Sequence, residues 1–180
     1  VSRHHQGGFT IIEVVVVVAI VAVLAAIAIP AFTRESAKVK GESETGPMLA
    51  EIASRQGQAF TETGAYVSSS GAETATHPTA PSTTPVAWGS PTGGWATLRM
   101  VPTQTSVRCA YVTIAGAAGT GPSGSSIAAT YFGFTGTQPG PWYYALARCN
   151  MDGVTGADDK DSWYFLSSAN STLQNKYNGR

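Results

Sequence analysis

The sequence predicts an α+β protein: a long N-terminal helix, its hydrophobic half protruding and its amphipathic half packed, lying on a C-terminal antiparallel β-sheet. Three observations carry this. Residues 14–33 are twenty uncharged and nearly all apolar positions, residues 34–62 carry nine charges of both signs, and the remainder breaks into short strand-like runs separated by Gly, Pro and Ser clusters.

The uncharged run is about the length a helix needs to cross a bilayer core of roughly 30 Å. It is longer than the apolar core of a secretory signal peptide, usually about 7–15 residues. Val14 to Val18 are five β-branched residues in a row, poor helix formers in water, but in lipid the backbone must satisfy its own hydrogen bonds and the helix wins. Pro30, near the end of the run, removes a helical hydrogen bond and predicts a kink or local unwinding. Arg3, His4 and His5 precede the run, so the positive-inside rule places residues 1–8 in the cytoplasm and everything after Thr33 outside.

Past Phe32, apolar residues at Ala37, Val39, Met48, Leu49, Ile52, Ala53 and Phe60 continue as an amphipathic helix. Gly41 and Gly46-Pro47 leave open one unbroken rod or a second bend or gap. Gly64 is a good C-cap, which ends the helix near Thr63. Residues 68–85, rich in Ser, Thr, Ala, Gly and Pro, read as an exposed loop. Strands are expected over 97–101, 107–114, 128–134, 142–149 and 162–167. The aromatics of the C-terminal half read mostly as core, with some facing outward where they run consecutively, as at Trp142-Tyr143-Tyr144.

The chain has 11 basic and 11 acidic residues and no formal net charge, so nothing in its bulk electrostatics draws it to nucleic acid. Gly119 to Gly124 spells GxGxxG, yet another strand is expected after it and Pro122 sits inside the turn, which argues against a nucleotide site. His77, placed in the flexible 68–85 loop, has no nucleophile spacing around it, and Asn170-Ser171-Thr172 is a formal glycosylation sequon given no function.

Glu13, a carboxylate immediately before a membrane run, needs an account, because an acid in hydrocarbon costs about 2.5–3.5 kcal/mol on insertion scales. Here the residues carry a resemblance. Gly7-Gly8-Phe9-Thr10-Ile11-Ile12-Glu13-Val14, followed by a Val/Ala/Ile run ending in Ala28-Ile29-Pro30-Ala31-Phe32, resembles the prepilin processing and methylation motif of type IV pilins and type II secretion pseudopilins. The resemblance implies a pilin-like fold, cleavage after Gly8 by a prepilin peptidase, N-methylation of Phe9, and an assembly role for Glu13. On the residues alone, Glu13 either pairs with the free amine of Phe9 on a neighbouring subunit, setting the stagger between helices, or complements its own helix N-terminus.

The chain then divides into a leader (1–8), a transmembrane and assembly helix (9–33) that includes Pro30, and a periplasmic or extracellular head (34–180). Expected partners are other pilins or further copies in a filament, prepilin peptidase, inner-membrane assembly machinery and the lipid bilayer. The expected location is the bacterial inner membrane, single pass with the C-terminus outside, and then a cell-surface pilus or a periplasmic pseudopilus. No catalysis is expected. The rival from another class is a membrane-anchored binding module or hydrolase whose leader only resembles the motif.

Cys109 and Cys149, outside the cytoplasm on this topology, are expected to form a disulfide, the alternative being two separate buried thiols. No cofactor is expected. Asp152, Asp158, Asp159 and Asp161 cluster with Gly153 and Gly156 before the last expected strand, where hard oxygen ligands suit calcium although the spacing is not that of an EF-hand. A solvated acidic hairpin loop is the alternative reading.

Overall fold

The computed structural model describes residues 9–102, 104–150 and 161–177. Helix α1 runs Ile11–Thr63, followed by β1 (Val86–Ala87), α2 (Gly94–Thr97), β2 (Ser106–Val107), β3 (Ala110–Gly116), α3 (Ile127–Phe132), β4 (Trp142–Cys149), β5 (Ser162–Ser167) and β6 (Gln174–Tyr177). The chain separates into two compact units, residues 1–36 and 37–180. The arrangement is the α+β, pilin-like one expected.

In the first unit, Ile11–Ile29 is helical with a mean hydropathy of 3.2 and no part of it buried. The backbone stays helical through Pro30.

In the second unit, α1 is continuous through Gly41 and Pro47. Pro47 and Ser43 lie on the exposed side of the helix, where water can satisfy the carbonyl that a proline four residues on leaves without a donor. Thr45, Met48, Leu49, Ile52 and Gln56 form the buried stripe at helical spacing. The helix ends as expected, with Gly64 at φ 74° donating its N–H to the Phe60 carbonyl at 2.8 Å.

The main sheet is an antiparallel meander, β3-β4-β5-β6, with Val112 opposite Leu146 and Leu146 opposite Phe165. A small β1-β2 pair lies apart from it. Alternation along the strands sends Tyr111, Ala145, Ala147, Tyr164 and Leu166 to one face, against Met48, Leu49 and Ile52 of α1 and against Trp88, Trp95 and Leu98. The other face carries Val112, Tyr144, Leu146, Trp163 and Phe165, covered by Ala128 and Phe134. Because both faces are covered, Trp142, Tyr143 and Tyr144 are all buried, which corrects the expectation that consecutive aromatics must expose some of their number. Gly116, opposite Trp142, is needed as glycine: a Cβ there would stand 2.3 Å from the indole ring.

Three further expectations change. Residues 128–134 are not a strand. Ser126 caps α3 by accepting from the Ala129 N–H, and Gly133 at φ 68° ends it, so the short apolar run between them closes as a helix over the sheet's second face. Residues 97–101 are the end of α2 and a Schellman turn, in which Arg99 N–H reaches the Ala96 carbonyl (3.0 Å) and Met100 N–H the Trp95 carbonyl (3.1 Å). The third concerns the 68–85 segment, which is bound rather than loose. Ser69 N–H donates to the Thr113 carbonyl at 2.8 Å, and His77 and Tyr111 exchange backbone hydrogen bonds at 2.8 and 2.9 Å, which closes the outer edge of β3. The His77 ring stands 4.4 Å from Trp88, and its Nε2 lies 2.6 Å from the Trp88 carbonyl.

Arg99 sits at the left-handed position of its turn with φ 50° and is exposed. Glycine adopts that conformation without the Cβ penalty. Arg99→Gly is therefore expected to stabilise the head by about 1 kcal/mol, read as a rise in denaturation midpoint with unchanged m-value.

Candidate functional site: the N-terminal segment and the anchors of the head

Helix α1 begins at Ile11, and what begins it is Thr10. The Thr10 hydroxyl accepts from the Glu13 N–H at 3.3 Å, and its carbonyl accepts from Glu13 N–H (3.1 Å) and Val14 N–H (3.3 Å). Thr10 is thus the N-cap and Glu13 the third helical residue, the Thr-x-x-Glu pattern of a capping box. That pattern stood in the sequence and was missed. Glu13 occupies the first turn, where a carboxylate complements the helix dipole. Phe9 stands outside the helix and is 81% exposed. Gly8 lies outside the described residues, and the Pro30 backbone lies within α1.

The described part of this unit presents apolar surface all round. Phe9, Ile11, Ile12, Leu24, Ile27, Ile29 and Phe32 are each more than 60% exposed. A helix that is hydrophobic on every side is stable only inside lipid or inside an apolar bundle.

In the head, a disulfide joins Cys109 and Cys149 with Cα atoms 4.4 Å apart. Cys109 precedes Ala110, which pairs with Arg148. The bridge therefore closes the end of the β3-β4 ladder at a narrow, non-hydrogen-bonded position.

Two carboxylates do comparable work, and sequence reading singled out neither. Glu44 on α1 accepts from the Arg108 N–H (2.9 Å to each oxygen), the Cys109 N–H (2.8 Å) and the Tyr111 hydroxyl (3.0 Å). Glu73, in the segment beside β3, accepts from the Ile127 N–H (2.6 Å) and Ala128 N–H (3.1 Å) at the start of α3, and bonds the Tyr144 hydroxyl. Glu73 had a signal, being the sole acid between Glu62 and Asp152. Gln56, fully buried on α1, donates to the Val67 carbonyl (2.6 Å) and Thr113 hydroxyl (3.0 Å) and accepts from the Val67 N–H (2.9 Å).

Asp161 is buried and ion-paired with Arg148, whose guanidinium also lies 5.7 Å from the Trp163 ring centroid. Asp152, Asp158 and Asp159 lie outside the described residues.

Burial beside Tyr66 pushes the Tyr143 hydroxyl up to about 12. Tyr111 and Tyr144 rise further still, first by burial and then by the facing carboxylates of Glu44 and Glu73. Unfolded tyrosines titrate near 10. Above that pH the unfolded chain holds fewer protons on these groups than the folded one, so their contribution to stability is flat below about pH 10 and falls as pH rises through 10 to 12, by up to ~1.4 kcal/mol per pH unit for each of these tyrosines. Denaturant midpoints measured from about pH 8 to 12 should show this slope, and Tyr143→Phe should reduce it.

The segment matches the prokaryotic N-terminal methylation motif over residues 3–29. This motif is the hallmark of type IV pilins and pseudopilins, a class of structural subunits rather than enzymes. It implies processing by prepilin peptidase and assembly into pilin filaments, and with the apolar helical stretch Ile11–Ile29 it fits a prepilin anchored in the inner membrane. No curated protein and no solved structure matches the chain.

Proposed function

We propose that the chain is the structural subunit of a type IV pilus. It enters the inner membrane as a prepilin with its C-terminus outside, is cleaved after Gly8 and N-methylated at Phe9, and polymerises through residues 9–33 into a filament that displays residues 34–180 for adhesion, motility or DNA uptake. The observation that carries this reading is a wholly exposed apolar helix headed by the methylation motif. Such a surface requires lipid before assembly and neighbouring copies after it. In the assembled bundle the Glu13 carboxylate of one copy pairs with the Phe9 amine of the next, since few other partners exist there and an unpaired charge is costly. Methylation leaves the amine basic and keeps the pair.

The test is intact mass and N-terminal sequence of protein from native membranes and from sheared surface material. Methylated Phe9 as first residue, present in the sheared fraction, supports a pilus subunit. The same N-terminus confined to the envelope indicates a pseudopilin of a type II secretion system. An unprocessed N-terminus in both fractions overturns the pilin reading.

A further inference from the structure

We propose that Asn170 is an N-glycosylation site, taking a saccharide from a glycosyl diphosphate donor on the outer side of the membrane. The proposal rests on the topology proposed above, which puts residues 34–180 on that side. Of the four asparagines in the chain, Asn170 alone has a Ser or Thr two residues on with a residue other than proline between, the pattern of an N-glycosylation acceptor. That pattern arises often by chance in a chain this rich in Ser and Thr. The structure adds where the carboxamide stands and what it bonds.

Asn170, Ser171 and Thr172 are all exposed. They occupy the connection between β5, which ends at Ser167, and β6, which begins at Gln174. The connection is anchored on both sides, by the buried Ser167 and by Leu173, which packs against the core. The Ser167 N–H donates to the Asn170 carbonyl at 3.1 Å, and the Asn170 N–H donates to the Ser167 carbonyl at 3.2 Å and hydroxyl at 3.1 Å. These bonds close the turn and hold the Asn170 backbone at the surface, so the acceptor stays reachable after the head has folded. Two of the other asparagines are placed differently: Asn150 is buried, and the Asn175 Nδ2 donates to Glu42 at 3.3 Å.

The carboxamide of Asn170 is held one way round. Its oxygen accepts from the Thr172 N–H at 2.9 Å. A backbone N–H can only donate, so the atom facing it is Oδ1, and Nδ2 is the free end. Among the described residues Nδ2 has no hydrogen-bond partner. An amide nitrogen is a poor nucleophile, because its lone pair is delocalised into the carbonyl. In the transfer, Nδ2 attacks the anomeric carbon of the donor, forming an N–C bond as the C–O bond to the diphosphate breaks. The diphosphate leaves with the electron pair, and Nδ2 gives up one proton to a base of the transferase. As that proton leaves, negative charge grows on Oδ1, where the Thr172 N–H is already aimed. The turn thus exposes the nitrogen and places a donor on the oxygen that must take up the charge.

The experiment uses the full chain recovered from its native envelope, digested and read by mass spectrometry over the peptide that contains residue 170. Wild type is compared with Asn170→Gln, Thr172→Ala, Thr172→Ser and Ser171→Ala, at equal recovery. A saccharide mass is expected on wild type, Ser171→Ala and Thr172→Ser, and should be lost from Asn170→Gln and Thr172→Ala. Thr172→Ala keeps the backbone N–H that closes the turn, so its loss of the saccharide reads the hydroxyl and not the fold. A bare wild-type peptide, or a saccharide that survives Asn170→Gln on a neighbouring hydroxyl, would overturn the proposal. Blocking synthesis of isoprenoid-linked saccharide should abolish the mass. Its persistence would assign the donor to a sugar nucleotide in the cytoplasm and overturn the outer-side transfer. Methylated Phe9 in the same digests reports processing separately, so a bare Asn170 on a processed chain leaves the pilin reading standing.

Discussion

Replacing Cys109 and Cys149 together by alanine is expected to lower the stability of the head by about 4 kcal/mol. The bridge spans a sequence separation of 40, and in the chain-entropy model cutting a loop of that length returns about this much conformational free energy to the unfolded chain. The loss is large against the roughly 5–15 kcal/mol that holds a domain together. The position of the bridge adds a structural reason. It pins the start of β3 to the end of β4 beside the Glu44 contacts, so its removal loosens the end of the ladder where α1 is fastened. Denaturant unfolding of the double variant should give a lower midpoint, and thermal unfolding a fall on the order of 10 °C. A change of less than 1 kcal/mol would show that the bridge is redundant with the hydrogen bonds around it.

Glu44→Ala is expected to cost about 3 kcal/mol. The substitution removes one carboxylate and strands three donors, two backbone N–H groups and the hydroxyl of Tyr111, which is fully buried. A buried donor left without its partner costs about 1–3 kcal/mol. Glu44→Gln keeps an acceptor of similar shape and should lose roughly half as much. The Tyr111→Phe and Glu44→Ala changes should not add, because they remove the two ends of one contact. A double-mutant cycle on denaturant midpoints measures that coupling, and strict additivity would contradict the geometry.

How far the sequence could be read depended on the range of the forces involved. The apolar helix of the N-terminal segment and its methylation motif were legible because their signals are local: an unbroken run of apolar residues, an acid at its head, and a pattern in consecutive positions. Residues 142–149 and 162–167 were legible as strands, each bounded by turn residues and dense in aromatics. Residues 128–134 were misread because a short apolar run has no decisive period. Ser126 and Gly133, which decide it, are caps whose meaning depends on which element lies between them. Strand β6 escaped notice because Gln174, Asn175 and Lys176 are poor strand residues, ordered by pairing with Phe165, Tyr164 and Trp163. The partners of Glu44 and Glu73 were illegible for a different reason, even though the isolation of Glu73 among uncharged residues marked it out. Their partners lie 64 and 54 residues away at the nearest, and no local pattern announces a contact at that distance. Thr10, by contrast, was within reach of sequence alone, three residues before Glu13.

The order of the elements has a consequence for biogenesis. The stripe of Met48, Leu49 and Ile52 on α1 is synthesised early, yet the residues that cover it, from Trp88 to Leu166, come much later in the chain. Contacts of such long sequence separation form slowly, since loop closure must precede the gain from burial. On the topology proposed above, the growing polypeptide would therefore carry an uncovered greasy face and no stable partial head while its N-terminal segment is already in the membrane. That face stays uncovered until β5, which carries Tyr164 and Leu166, has been made and the helix has found its sheet.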